Sequence, residues 1–196
     1  DLTGVKGQNL PVIKGDYLRI GSRASIREGK FVDREENIVT LTGHVRRPGN
    51  YRWEAGMRVS DLLSDFRQFP DKVDLDFALL QRELPPIGEV QALAVDLQSV
   101  LASPGSGADL KLSPGDKLLI FSTESGRDMG GLLAVLKTQA RSGELALVVS
   151  ISGTVKFPAE YPLTSGMTVT QLIQAAGGLT EDAYTQNAEV SRLDLS

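Results

Sequence analysis

His44 is the sole histidine of the chain, and cysteine is absent. Disulfides, thiolate metal sites and cysteine nucleophiles are therefore excluded. A lone histidine in a strand-like stretch supplies neither a Ser-His-Asp arrangement nor a histidine-rich metal site. Asp61 and Asp65 lie one helical turn apart, and paired carboxylates can do acid–base work. The matching positions in the second half of the chain are Gln171 and Ala175, so a solvated helix face is the better reading. Gly21 and the Gly29-Lys30 pair are too far apart for a phosphate loop, and Phe31 stands where Ser or Thr is required. Asp16 and Asp116 each follow a glycine, where a side chain–backbone hydrogen bond in a turn explains them without a metal. We expect no enzyme activity, cofactor or metal.

Cations and aromatics offer a different chemistry. Arg46, Arg47 and Lys156 fall in two turns, near Tyr51, Trp53 and Tyr161. Aromatic faces meet sugar C–H groups, and cations meet acidic sugars. Arg46, Arg47, Trp53, Lys156 and Tyr161 are thus candidates for contact with a ligand or with another subunit. The plainer account is turn solubility and an aromatic core, with the hydroxyls of Tyr51 and Tyr161 bonded inward.

A net charge of −4 argues against general nucleic-acid or anionic-membrane binding. No apolar run approaches the roughly 20 residues that span a bilayer. A hydrophobic content of 41% suffices for one large core or two small ones. The chain starts at Asp1 without a signal peptide, and we expect a piece of a longer protein.

What must position these groups is a repeat. Residues 38–82 align without a gap on residues 148–192, at a constant step of 110. Identical pairs include Val39/Val149, Gly43/Gly153, Pro48/Pro158, Tyr51/Tyr161, Gly56/Gly166, Met57/Met167 and Arg82/Arg192. Residues 10–20 also resemble residues 110–120, sharing Leu, Gly-Asp, Leu and Ile at matched positions.

One full module reads as β-β-α-β-β-β, with a single helix on one mixed sheet. Val39 and Leu41 alternate with Thr40 and Thr42, as in a half-buried strand. Pro48-Gly49 makes a turn into a second strand at Tyr51. Ser60 and Thr170 are expected to cap short helices, 61–66 and 171–176, the second stopped by Gly177-Gly178. Residues 77–82, 90–97 and 118–121 read as further strands, the last entered through Pro114-Gly115-Asp116, with a short helix near 96–101. Residues 123–128 read as a loop. Apolar residues at Met129, Leu132, Leu133 and Leu136 predict an amphipathic helix over 129–140. Gly43 and Gly153, inside strand patterns, mark places where another chain segment approaches closely. Together with Gly115, Gly177 and Gly178 they are the structural glycines.

The run Gly153–Thr–Val–Lys–Phe–Pro158–Ala–Glu–Tyr161, then Gly166-Met-Thr-Val169, then Ala175-Ala176-Gly177-Gly178, resembles the signature of the SLBB (soluble-ligand-binding β-grasp) family. So does the stretch from Val39 to Tyr51, followed by Val59 to Leu63. The family's closing Pro-Gly-Asp strand resembles residues 114–120 and, with Lys14 for Pro, residues 14–20. Repeat one departs from the pattern after Leu63, where Phe66-Arg67-Gln68-Phe69-Pro70 replaces Ala-Ala-Gly-Gly.

The resemblance implies an α+β fold of tandem β-grasp (ubiquitin-like) modules, each a small mixed sheet covered by a short helix. It implies four parts: residues 1–36, the tail of a preceding module; 37–123, a full module; 124–146, a connecting helix; and 147–196, the head of a second module. That head lacks a Pro-Gly-Asp strand, so its sheet is expected to have an open edge. Within the family, the chain is most similar to outer-membrane polysaccharide export proteins of the Wza type. That likeness implies a non-catalytic periplasmic wall of a capsule or exopolysaccharide conduit, associated with the outer membrane. It implies a homo-oligomer in the longer protein, with a polysaccharide and an inner-membrane polysaccharide copolymerase as partners, and no nucleic acid. The rival expectation is a module that holds a glycan or small soluble ligand.

Overall fold

A computed structural model describes residues 26–27, 30–31, 37–63, 69–85, 88–141, 143–185 and 188–192. The chain divides into two compact units, Asp1–Asp33 and Arg34–Ser196. In the first, β1 (Ile26–Arg27) pairs antiparallel with β2 (Lys30–Phe31). Residues 10–20, the glycine–lysine stretch at 21–25 and Asp65 to Gln68 lie outside the described residues.

The second unit is built on a five-stranded mixed sheet. Its strands are β3 (Ile38–Gly43), β4 (Gly49–Arg52), β5 (Val73–Leu84), β6 (Glu89–Val95) and β7 (Lys117–Ser122), in the order β4-β3-β7-β5-β6. The pair β3–β7 is parallel and the other three pairs are antiparallel. A hairpin, a crossover and a last strand inserted parallel to the first make up the β-grasp order expected from the sequence.

Burial on both sides explains the composition of β5. Phe77 and Leu79 point to one face, Ala78 and Leu80 to the other, and all four are buried. A strand covered on both faces reads as a continuous apolar run rather than an alternation. On one face Val39, Leu41, Leu80, Leu118 and Ile120 pack under α1 (Val59–Leu62) and α2 (Leu97–Ala102). The other face, with Phe77, Leu79 and Phe121, is covered by α3 (Gly130–Gln139) and by the second repeat.

Helix starts differ from the sequence expectation by a few residues. The N-caps are Arg58 and Thr168, not Ser60 and Thr170. Thr168 caps α4 (Val169–Ala175) through a reciprocal bond with Gln171, and Asp61 accepts from the Arg58 amide in the equivalent way. The acceptor three residues on completes each cap, and that pairing outweighs the hydroxyl nearest the helical run. Ser60 instead donates its hydroxyl to Asp109.

The two repeats match in hairpin and helix but not in the third strand: β5 spans Val73–Leu84, whereas residues 188–192, aligned with its second half, form no strand. Val39 faces Tyr51 across the β3–β4 hairpin, as Val149 faces Tyr161 across β8 (Val148–Ile151) and β9 (Ala159–Pro162). Tyr51 donates its hydroxyl to the Arg47 carbonyl, and Tyr161 does the same to Phe157, both at 2.7 Å. Gly43 and Gly153 share φ values of +88° and +90°. Close approach holds for one of them. A Cβ at Gly43 would lie 2.0 Å from the Ile120 carbonyl oxygen, while nothing lies within 4 Å at Gly153. The cause is the neighbour: β7 runs beside β3, and no described strand occupies the matching edge of β8.

On the outer edge of the five-stranded sheet, the Gln139 side chain accepts from the Val90 amide and donates to the Val90 carbonyl, at 2.9 and 2.7 Å.

Candidate functional site

The second repeat docks on the first through a residue in the segment that pattern reading assigns to a loop. Arg127 has a side chain with no exposure. Its guanidinium carbon lies 4.9 Å from the ring centroids of both Phe121 and Phe157, and 5.8 Å from that of Phe77. Such cation–ring stacking strengthens when water is excluded. The guanidinium also donates to the Asp74 carboxylate, the Ser122 carbonyl and the Ala175 carbonyl. One side chain thus ties β5, β7 and the end of α4.

Asp74 is prepared for this at a register shift in β5. One carboxylate oxygen accepts from the amides of Asp76 and Phe77, and the other is left for Arg127. The Ala-Ala-Gly-Gly exit of α4 supplies the other half. Ala175 and Ala176 are fully buried. A Cβ on Gly177 would come within 2.7 Å of the Phe157 ring. The Phe157 amide then bonds to Ala176 and the Lys156 amide to Gly178. The expected stop at Gly177-Gly178 is confirmed by φ values of +79° and +89°.

Beside this junction lies a cleft of about 140 Å³ formed by Asp74, Asp76, Thr123, Lys156, Phe157 and Gln174. A second, of about 230 Å³, lies between α3 and the sheet near Thr42, Gln81 and Lys117. Both fall below the roughly 300–1,000 Å³ of ordinary small-molecule sites.

The sequence candidates are scattered by the fold. Arg46 and Arg47 are exposed in the β3–β4 turn, and Arg46 donates to the Phe69 carbonyl. Lys156 is exposed in the β8–β9 turn, its ammonium 5.6 Å from the Phe157 ring. Trp53 is half-buried and donates its indole N–H to Leu112. Tyr161 is fully buried, edge-on to Phe77, and offers no surface to a ligand. Burial raises its hydroxyl pKa, and nearby Arg127 opposes that. Gly115 holds φ +86° in the turn before β7.

Two further carboxylates are structural. Asp116 takes a bidentate grip from Arg82, at 2.9 and 2.6 Å, and accepts from the Ser113 amide. The turn hydrogen bond expected for Asp116 is present, and the ion pair adds to it. The hydrogen bond to Asp116 raises the pKa of Arg82 further, against the effect of burial. Asp109 accepts from the Ser60 amide and hydroxyl and from the Gly105 amide. It closes the start of α1 from a distant segment. Burial pushes its carboxyl up, but these donors and Arg58 outweigh that and hold it below the usual carboxylate range. A depressed folded-state pKa stabilises above the ordinary carboxylate pKa and is lost as pH falls through the folded value. Asp109→Asn should cost about 1–2 kcal/mol at neutral pH and show a shallower loss of stability at roughly pH 4 and below. Urea midpoints across pH check this; parallel acid profiles would remove Asp109 as the cause.

Among the described residues no group of three or more His, Asp or Glu side chains is placed to hold a metal, and no helix is long and apolar enough to cross a membrane. No curated protein matches the chain. The model of the SLBB domain matches residues 38–83 and 148–195, the same two stretches whose hairpins, caps and tyrosine bonds repeat in three dimensions.

Proposed function

We propose that the chain is a non-catalytic wall module of a polysaccharide export protein, working in the periplasm by self-association. The observation that carries this reading is the Arg127 junction. It packs two SLBB-matched repeats into one compact unit and leaves a cleft of only about 140 Å³ between them. A module whose repeats are clamped together suits a wall better than a pocket that must admit a soluble ligand. The exposed cations Arg46, Arg47 and Lys156 then serve neighbouring subunits or an acidic glycan, with an inner-membrane copolymerase as the partner across the periplasm.

The test uses the protein expressed in a bacterium that exports an acidic surface polysaccharide. Reversing the three cations to Glu should lower surface polysaccharide while the protein stays folded and in the envelope. Unchanged export, with tight binding of a small soluble ligand by the purified protein, would establish the binding-module alternative instead. Hydrolysis of the polymer that Asp61→Ala abolishes would overturn both readings.

A further inference from the structure

We infer that the bare apolar surface leading into α4 is a seat for Leu145-Ala146-Leu147 of a second copy of this chain. The first repeat shows what such a seat holds. There residues 110–112 run antiparallel to residues 57–59, bridged at Arg58 and Lys111. The Val59 amide donates to the Leu110 carbonyl, and the Leu112 amide donates to the Met57 carbonyl. The Trp53 indole donates to the Leu112 carbonyl. Under this cover Val59 and Leu112 are 0% and 4% exposed.

The second repeat builds the same seat and leaves it open. The counterparts of Trp53, Met57 and Val59 are Leu163, Met167 and Val169. Leu163 and Val169 are 41% and 52% exposed. Among the described residues nothing bonds to the Val169 amide or the Met167 carbonyl, the two groups that hold the covering segment in the first repeat. Uncovered apolar side chains beside free backbone groups are a template for an added segment.

Spacing and charge identify the occupant. Leu145 and Leu147 repeat the Leu-x-Leu spacing of Leu110 and Leu112, and they are 53% and 44% exposed. The Leu145 carbonyl and the Leu147 amide, which match the groups used by Leu110 and Leu112, bond to no other described segment. Donor and seat also lie on one surface, since the Leu163 amide donates to the Leu147 carbonyl. Residues 145–155 and 161–180 carry no charged side chain, in a chain that is 23% charged. Two copies can therefore meet here without burying a charge or opposing like charges, and interface cores show the same depletion of charge. The choice of a second copy as donor rests on the self-association proposed above.

The experiment uses the full chain with Leu145→Lys, Val169→Glu and the double variant, followed by sedimentation equilibrium and amide exchange. Antiparallel seating sets Leu145 of one copy against Val169 of the other, as Leu110 lies against Val59. Amides of Leu79 and Ile120 report that the first sheet stays folded. The wild type should self-associate, and its Leu147 and Val169 amides should exchange more slowly as concentration rises. Each single variant should raise the dissociation constant by about 30-fold or more, because a charge enters an apolar contact. An equimolar mixture of the two singles should associate again, as should the double variant, because lysine then faces glutamate. Association that both singles leave unchanged would overturn this seat and leave self-association standing. Association lost in both singles and not regained on mixing would overturn the pairing of Leu145 with Val169. A wild type that stays monomeric at about 1 mM would overturn the seat together with the self-association beneath it. Recovery on mixing, with export unchanged by reversal of the three cations, would count against the export reading and leave the seat standing.

Discussion

Arg127→Met is expected to destabilise the second unit by about 3–5 kcal/mol, the usual result of removing one partner from a buried ion pair. The side chains of Arg127 and Asp74 are 0% and 6% exposed. Methionine fills part of the volume between Phe121 and Phe157, but it leaves the Asp74 charge without a counter-ion. It also deprives the carbonyls of Ser122 and Ala175 of a donor. Adding Asp74→Asn should recover a fraction of the loss, because the amide oxygen still accepts from Asp76 and Phe77 while the buried charge is gone. The loss should be uneven: amides of β8, β9 and α4 should exchange faster before those of β5 and β7 do. A cost under about 1 kcal/mol in urea would mean that the apolar contacts hold the repeats together unaided.

Gly43→Ala is expected to cost about 3 kcal/mol or more, and Gly153→Ala only about 1–2 kcal/mol. Both carry the left-handed backbone that disfavours a Cβ, so a strain component is common to the two. Gly43 adds a collision with the Ile120 carbonyl. That carbonyl also accepts from the His44 amide, so relief by moving β7 breaks a sheet hydrogen bond. Equal shifts in urea midpoint for the two variants would show that backbone strain, and not the approach of β7, sets the cost.

Periodic and punctuated features were legible in the sequence. The step of 110 carried over into identical hairpin registers because Gly, Pro and Tyr act locally, through turn geometry and a hydroxyl that bonds four residues back. The short helix expected near 96–101 is present, and Asp96 caps it by accepting from the Ser99 amide. The junction was not legible. Arg127 stands among polar loop residues, and nothing near it announces three aromatic rings contributed by β5, β7 and the β8–β9 turn. Asp109 was hidden for the same reason, since its donors at Ser60 lie 49 residues away. Tyr161 was legible as an inward aromatic with a bonded hydroxyl, and its pairing with surface cations on sequence proximity alone misled. Buried ionic contacts are set by tertiary placement, so single-sequence patterns register the residue type without its partner.

Gln139 gives the sheet system a direction of growth. Its amide group satisfies the donor and acceptor of Val90 as a neighbouring strand would. A peptide approaching the β6 margin must therefore displace two hydrogen bonds before it forms any of its own, a barrier that discourages unplanned edge-to-edge pairing. The β8 margin carries no such plug among the described residues. A strand added at β6 therefore meets a barrier that one added at β8 does not.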